Sequence, residues 1–440
     1  MQKTASPLLV TVALLIFCCL LNPLNTFAKD QGTYQNLETF ANVLSLLEKN
    51  YVDGIDPEEV IQGAIKGMLS SLDPHSSYLK PENFKDLQIE TSGSFSGIGI
   101  EITMKDNLLV VVAPIEGTPA FIKGVKAGDI IIKIDSVSTK DMTLMDAVSL
   151  LRGKKGSEVT ISIQRKGWDE VQNFTITRDV IPLHSVKSKL LEPGYGYIRI
   201  TNFQSKTSHD AKEALTKLSA DKELSGLILD LRNNPGGLLE QSVKISDLFL
   251  DDGMIVYTKG RIESQNTEYY AHAGGLKLKA PLIILVNGGS ASASEIVAGA
   301  LQDHQRALIL GVQTFGKGSV QTVFPMSNGT GLRLTTARYY TPNGRSIQAK
   351  GITPDLVVPL QQPPEDQSPQ TSVLREKDLK HHIKNVTDPE KNSEQTTEES
   401  SKDGIDGDIE QLLQNDNQLR TALMLLKGIS VFGRKTTEIK

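Results

Sequence analysis

The chain has 440 residues, 39% of them hydrophobic and 22% charged, with a formal net charge of −5. This is an ordinary globular composition, and the length accommodates two or three domains. The acidity is concentrated in residues 361–410, which hold 13 acidic against 6 basic residues; the near-neutral remainder offers no electrostatic basis for binding nucleic acid.

The N-terminus reads as an export signal. Lys3 precedes an uncharged, mostly apolar run from Leu8 to Leu21, and a small-residue site at Thr26-Phe27-Ala28 follows. The run is short for a bilayer span of ~20 residues, so cleavage after Ala28 and release into the periplasm or cell envelope is expected. Left uncleaved, the segment would instead associate the chain with the inner membrane. Both cysteines, Cys18 and Cys19, lie inside it. The mature chain then holds none, which excludes disulfides, thiolate metal sites and a cysteine nucleophile.

Residues 29–90 form a helical region. Leu37, Phe40, Val43, Leu44 and Leu47 recur at helical spacing. Asp56-Pro57-Glu58-Glu59 supplies an N-cap, a first-turn proline and acids suited to the helix dipole. Between residues 91 and 173 the pattern changes to short strands, at Ile98–Thr103, Leu108–Ala113, Asp129–Ile134, Glu158–Gln164 and Val171–Thr177, with one helix capped by Thr143 and Asp146. Residues 174–360 alternate strands with helices, including apolar strands at Leu227–Leu231 and Leu282–Val286, which argues for a parallel-rich sheet in an α/β domain. Residues 361–407 read as a solvated acidic linker, and Ile409, Leu412, Leu413, Leu419, Leu423 and Leu426 as a last amphipathic helix within 408–440. Helices at both ends suggest a homodimer.

Three strings carry chemistry. In the first, the apolar strand at Leu285-Val286 runs through glycines into Ser290-Ala291-Ser292-Ala293-Ser294-Glu295 and a helix. Such an elbow exposes a side chain beside the unsatisfied amides of a helix N-terminus. On these residues alone, capping accounts for the serines as well as catalysis does. In the second, Phe315-Gly316-Lys317-Gly318 is a turn between strand-like runs. A glycine-flanked lysine is ordinarily a solvated turn residue. With an ordinary pKa of ~10.4, roughly one in 2,500 is neutral at pH 7. A turn folded inward would lower that pKa and make the amine a general base for a serine. In the third, Asp230-Leu231-Arg232-Asn233-Asn234-Pro235-Gly236-Gly237 leads a buried strand into a glycine turn, where backbone N–H groups could approach a ligand closely.

Jointly these strings resemble those of the C-terminal processing (tail-specific) peptidases, over the span from about Leu37 to Pro359. The resemblance implies an α/β, crotonase/ClpP-like protease core with an inserted β-rich PDZ domain. It implies a Ser-Lys endopeptidase without metal or cofactor, with Ser292 as nucleophile, Lys317 as base 25 residues on, and Gln321 orienting the lysine. It also assigns the oxyanion hole to the Ala293 amide and one amide from Gly236 or Gly237. Ser96-Gly97-Ile98-Gly99-Ile100 resembles the carboxylate-binding loop of PDZ domains. Protein substrates would therefore be taken by their C-termini, with Arg152 aligned to a substrate-sensing residue of relatives. Asp303 and His304 invite a rival Ser-His-Asp arrangement, but they lie over two helical turns beyond Ser292. A further alternative is a catalytically inactive PDZ scaffold or chaperone of the cell envelope.

Overall fold

The computed structural model describes residues 31–274, 278–361 and 409–437. The expected export segment, residues 1–28, and the expected linker beyond residue 361 lie outside them. By its contacts the chain divides into a unit ending at Leu69 and one running from Ser70 onward. The first holds α1 (Gln31–Asn50) and α2 (Pro57–Ser70), the latter capped by Asp56 Oδ1 accepting from the Glu58 N–H at 2.9 Å. The apolar stripe of α1 is uncovered in the single chain: Leu37, Phe40 and Val43 are 58%, 42% and 50% exposed. Among the described residues no helix is long and apolar enough to cross a membrane.

The second unit opens with a strand the sequence pattern does not announce, β1 (Ser77–Leu79), and with α3 (Pro81–Ser92). Gly93, at φ 72°, closes α3 by donating to the Ile89 carbonyl. The β-rich module follows: β2 (Ser94–Gly97), β3 (Ile100–Lys105), β4 (Leu108–Pro114), α4 (Pro119–Ile122), β5 (Ile130–Ile134), β6 (Val137–Ser138), α5 (Leu144–Leu151), β7 (Glu158–Gln164) and β8 (Gln172–Thr177). Its sheet runs β3-β4-β5-β7-β8, with β6 beside β5. Ile131, Ile134, Val159, Ile161, Ile163 and Ile176 fill its own core against Ala147 and Leu151 of α5. The expected strand Ile98–Thr103 breaks at Gly99, whose φ of +80° no strand residue adopts. The Thr143–Asp146 capping box is present. A short antiparallel ribbon of β2 with β9 (Asp179–Pro182) closes the module where it leaves and rejoins the chain.

The rest is the α/β core: β10 (Val186–Glu192), β11 (Tyr195–Ile200), α6 (Thr207–Leu218), β12 (Gly226–Asp230), α7 (Leu239–Asp247), β13 (Met254–Gly260), β14 (Thr267–Tyr270), β15 (Leu282–Val286), α8 (Ala293–Asp303), β16 (Ala307–Gly311), β17 (Ser319–Pro325), β18 (Gly331–Tyr340), β19 (Leu356–Val357), α9 (Ile409–Asn415) and α10 (Asn417–Thr437). One sheet has the order β10-β11-β12-β15-β16-β19, parallel from β11 to β19. A second, antiparallel sheet is built from β1, β18, β13 and β14, with β17 also on β18.

The parallel sheet is buried on both faces, which explains why β12 and β15 read as unbroken apolar runs. Leu227, Leu229, Leu282, Ile284 and Val286 point to the helical side, against Ile296, Val297 and Leu301 of α8. Ile228, Ile283 and Leu285 point to the other side, where Leu419, Ala422, Leu423 and Leu426 of α10 cover them. Each such side chain contributes ~1.5–3 kcal/mol by leaving water, so the C-terminal helix is as much a part of the core as α8. The single expected C-terminal helix is two, broken at Asp416, whose side chain caps the second by accepting from the Leu419 N–H at 2.9 Å.

Ile284 is fully buried, so Ile284→Ala is predicted to destabilise the core by about 2–5 kcal/mol. The check is the shift of its urea unfolding midpoint; a change below about 0.5 kcal/mol would contradict the packing described.

Candidate active site

The three glycine-bearing strings leave the parallel sheet from adjacent strands. Asp230 ends β12, Val286 ends β15 and Gly311 ends β16, and these three strands are neighbours. Parallel pairing therefore delivers all three turns to one edge, the carboxyl end where open α/β sheets hold their ligands.

Ser292 sits at the elbow between β15 and α8 with φ 57° and ψ −115°. That backbone is strained for a residue with a side chain, at a cost of order 1–3 kcal/mol, and its surroundings fix it there. The outer serines are buried ties. Ser290 Oγ donates to the Leu231 carbonyl at 2.8 Å, and Ser294 Oγ donates to the Asn234 carbonyl at 2.9 Å. Both acceptors belong to the neighbouring Asp230–Gly237 turn. The middle serine alone opens into the cavity, so the three residues divide into two anchors and one presented hydroxyl.

Gly236 lies against this elbow. A Cβ built on it would stand 2.7 Å from Ser292 Cβ and 3.0 Å from the Ala293 nitrogen, so only glycine allows the approach. Its own N–H is taken by Asn234 Oδ1 at 2.9 Å. Gly236 O and Leu238 N both bond to Phe203, at 2.8 Å each, which turns the Gly237 N–H to the opposite side. Ala293, the first residue of α8, has no carbonyl one turn before it within the helix to take its N–H.

The lysine turn is folded inward. Gly318 packs so closely on Gln348 that a Cβ would meet its backbone nitrogen at 2.5 Å, and Gly318 donates to Gln348 Oε1 at 2.9 Å. The Lys317 carbonyl accepts from the hydroxyl of Tyr339, itself 2% exposed. Lys317 lines the same cavity as Ser292, Ala293, Gly236 and Gly237, a cleft of about 620 Å³. Gln321, on β17, also lines it. Its amide donates to Ser319 Oγ at 2.8 Å and to the Ser319 carbonyl at 3.2 Å, leaving its carbonyl oxygen as the acceptor.

One residue in the quoted strings had no assigned role. Glu295 is fully buried, and its carboxylate accepts from four donors. Oε2 takes the Ser292 N–H at 2.8 Å and the Lys317 N–H at 2.9 Å. Oε1 takes the Gly316 N–H at 2.8 Å and the Thr314 hydroxyl at 2.6 Å. The elbow and the lysine turn are thus held by one carboxylate. Burial pushes its pKa up to about 7, while the four donors work in the opposite direction. The signal that could have found it is the Ser-x-x-Glu spacing of a helix N-terminus.

Asp303 and His304 are elsewhere. Asp303 accepts from Arg345 and from the Asn343 N–H at 2.9 Å, and His304 Nε2 is 2.7 Å from the Met254 carbonyl. Eleven helical residues put Asp303 about 16 Å from Ser292, so no Ser-His-Asp triad is assembled.

In the module, Gly97 ends β2, Ile98 is 1% exposed, and the Gly99 carbonyl accepts from Ile115 N and Thr118 Oγ1, each at 3.0 Å. The loop leads into β3, an edge strand of its sheet, facing α5. Arg152 caps the end of α5 and reaches Asp86 of α3 at 3.3 Å, with its guanidinium 5.1 Å from the Phe95 ring centroid. Helix α3 also lines the cleft through Phe84, Leu87 and Thr91.

Family models match three segments: an activating protease CtpB N-terminal domain over residues 22–83, a PDZ domain over 96–177, and peptidase family S41 over 194–358. A carboxy-terminal-processing protease of Bartonella bacilliformis is 45% identical over 408 residues, 92% of this chain and 91% of the relative. The carboxy-terminal processing protease CtpA of Bacillus subtilis is 39% identical over 319 residues, 71% of this chain and 67% of the relative. The solved photosystem II D1 C-terminal processing protease is 35% identical, covering 73% of this chain and 86% of its own, with a TM-score of 0.43.

Folded Glu295 holds its proton up to about pH 7, against an ordinary value of 4.5 in the unfolded chain. Its contribution to stability is therefore full below about pH 4.5 and is lost as the pH rises through 7, by about 3 kcal/mol in all. Urea midpoints measured from pH 5 to pH 8 should fall accordingly in the native protein. In Glu295→Gln that slope should flatten, on a lower stability throughout, because an amide NH₂ would face N–H donors. Parallel pH profiles in the two proteins would refute the assignment.

Proposed function

The chain belongs to the carboxy-terminal processing proteases of peptidase family S41, serine proteases carrying a PDZ domain, and on that footing we propose that Ser292 and Lys317 form its catalytic dyad. The observation that carries this reading is the close approach of Gly236, where a Cβ would crowd Ser292 Cβ and the Ala293 nitrogen, in the cleft that Lys317 also lines. Nucleophile, oxyanion donors and base are then supplied by adjacent strands.

Neutral Lys317 Nζ takes the proton of Ser292 Oγ as the oxygen attacks the scissile carbonyl carbon. The carbonyl oxygen becomes an oxyanion and receives hydrogen bonds from the Ala293 and Gly237 N–H groups. Gly237 is preferred over Gly236 because the Gly236 N–H is held by Asn234 Oδ1. Collapse breaks the C–N bond, and Lys317 returns the proton to the leaving amine. A water then gives its proton to Lys317 as it attacks the Ser292 ester. The second tetrahedral intermediate breaks its bond to Ser292 Oγ, Lys317 returns the proton to that oxygen, and the new carboxyl terminus leaves. Gln321, which lines the same cleft and has its amide NH₂ engaged by Ser319, accepts from the lysine amine through its carbonyl oxygen and keeps it oriented.

The module's exposed β3 edge suits a substrate terminus added as a strand, with its carboxylate at Gly97–Ile100 and Arg152 relaying occupancy to α3. Protein substrates are thereby chosen by their C-termini. Residues 1–28 export the chain to the periplasm or cell envelope, or anchor it there, and the uncovered apolar stripe of α1 joins two copies as a homodimer.

Lys317→Ala is expected to lower kcat by at least ~10²-fold, with Ser292→Ala inactive and a fluorophosphonate adduct found by mass spectrometry on Ser292 alone. Unaltered cleavage by either variant would reject the dyad. Amidation of a substrate's C-terminal carboxylate should raise KM about tenfold or more, the scale of one lost charge-assisted contact. Equal KM for acid and amide would remove the module's assigned role.

A further inference from the structure

We propose that Asp416, at the break between α9 and α10, is a positioning residue of the active site, acting through Arg232 on the turn that carries Gly236 and Gly237. The inference rests on the reading of that turn as part of the oxyanion site.

Arg232 stands between the end of β12 and the glycines, 8% exposed. All five of its N–H donors are taken. Nε donates to Asp230 Oδ1 at 3.0 Å. Nη2 donates to Asp230 Oδ2 at 2.7 Å and to Asp416 Oδ2 at 2.6 Å. Nη1 donates to Asp416 Oδ1 at 3.0 Å and to Gln418 Oε1 at 2.9 Å. Three of these five bonds cross to the C-terminal helices, 184 and 186 residues further along the chain. A buried guanidinium requires such a set, since each donor deprived of a partner there carries its full desolvation cost.

The network is anchored at both ends. Asp230 is wholly buried and also accepts from the Tyr197 hydroxyl at 2.8 Å and the Arg232 N–H at 3.0 Å. Asp416 caps α10 with the same carboxylate that grips the arginine. Gln418 Nε2 donates to the Val358 carbonyl at 2.7 Å, and Asn417 Nδ2 to the Pro359 carbonyl at 2.9 Å, pinning the helix junction beside β19. The junction residues Asp416 and Gln418 therefore set where Arg232 lies. Two residues on, Asn234 holds the Gly236 N–H and accepts from the Ala291 N–H at 3.0 Å and from Ser294 Oγ.

Loss of the Asp416 carboxylate leaves Arg232 with one acid partner and lets the front of the turn shift against the elbow. Substrate binding surfaces along the cleft are untouched. The donors aimed at the oxyanion are not, and they act most strongly in the transition state, so kcat should fall with little change in KM.

Full-length Asp416→Ala and Asp416→Asn are to be assayed with a quenched-fluorescence peptide bearing a free C-terminal carboxylate. Leu423→Ala, which thins the packing of α10 on the sheet beyond the junction and removes none of the Asp416 or Gln418 contacts to Arg232, and Ser292→Ala are run beside them. Asp416→Ala should lose ~10- to 10²-fold in kcat with KM within about twofold, the range for a displaced transition-state donor, and Asp416→Asn should fall between it and the native protein. Leu423→Ala, at a matched loss of melting temperature, should keep its kcat. If Asp416→Ala fails to fold, Asp416→Asn, which retains the capping oxygen, carries the comparison. An unchanged kcat in the Asp416 variants, or an equal loss in Leu423→Ala, overturns the clasp. Turnover surviving in Ser292→Ala overturns the dyad instead, so the two failures are distinct.

Discussion

A single buried carboxylate decides whether this site exists. The strained backbone of Ser292 and the inward turn at Lys317 come from segments more than 20 residues apart. Glu295 takes one N–H from each on the same oxygen, and its other oxygen takes Gly316 and the Thr314 hydroxyl. The Thr314 hydroxyl is the only rotatable donor of the four, and it can turn from donor to acceptor as the carboxyl gains its proton. A hydrophobic residue of similar volume would leave three N–H groups buried and unpartnered, each costing about 1–3 kcal/mol. The position therefore demands an acid for reasons of satisfaction, apart from any role in chemistry.

Glycine supplies the second constraint, that of distance. At Gly236 and Gly318 a single added carbon would meet neighbouring atoms at 2.7 Å and 2.5 Å. Both turns thus pack on their neighbours at a separation that a residue with a Cβ does not permit. The parallel sheet contributes direction: adjacent strands β12, β15 and β16 all end at the same edge, so three short turns converge without long loops. The antiparallel sheet supplies the opposite wall, with Gln321 on β17 and Tyr339 on β18. The rigid floor is buried on both faces, while α3, which lines the cleft, is joined to the module by the exposed Arg152–Asp86 pair. A pair in water contributes little to stability, so this link between α3 and the module is a weak one.

Much of the site was legible in the linear sequence. The elbow serines, the glycine-flanked lysine and the Asp230–Gly237 string each mark a local backbone that glycine or a helix start requires, and their joint resemblance to one family named the chemistry. The capping box at Thr143 and the apolar strands of the core were legible for the same reason, since caps and periodicity are local. Strands β1, β13, β14 and β18 were not. Their residues alternate weakly, and β1 exists only because Ser77–Leu79 pairs with Arg333–Gly331 of β18, some 250 residues away. The strand expected from Ile98 to Thr103 is interrupted at Gly99, because its positive φ depends on the turn that loop makes in space.

By itself the sequence determined which residue types could attack, abstract and stabilise, because those depend on side-chain chemistry and on glycines that fix nearby torsions. Tertiary structure decided which hydroxyl of Ser290, Ser292 and Ser294 faces the cleft, which glycine amide is already engaged, and that Glu295 and the C-terminal helices brace the turns. Those outcomes depend on hydrogen-bond partners up to 186 residues distant, and a donor's availability is a property of what surrounds it in space.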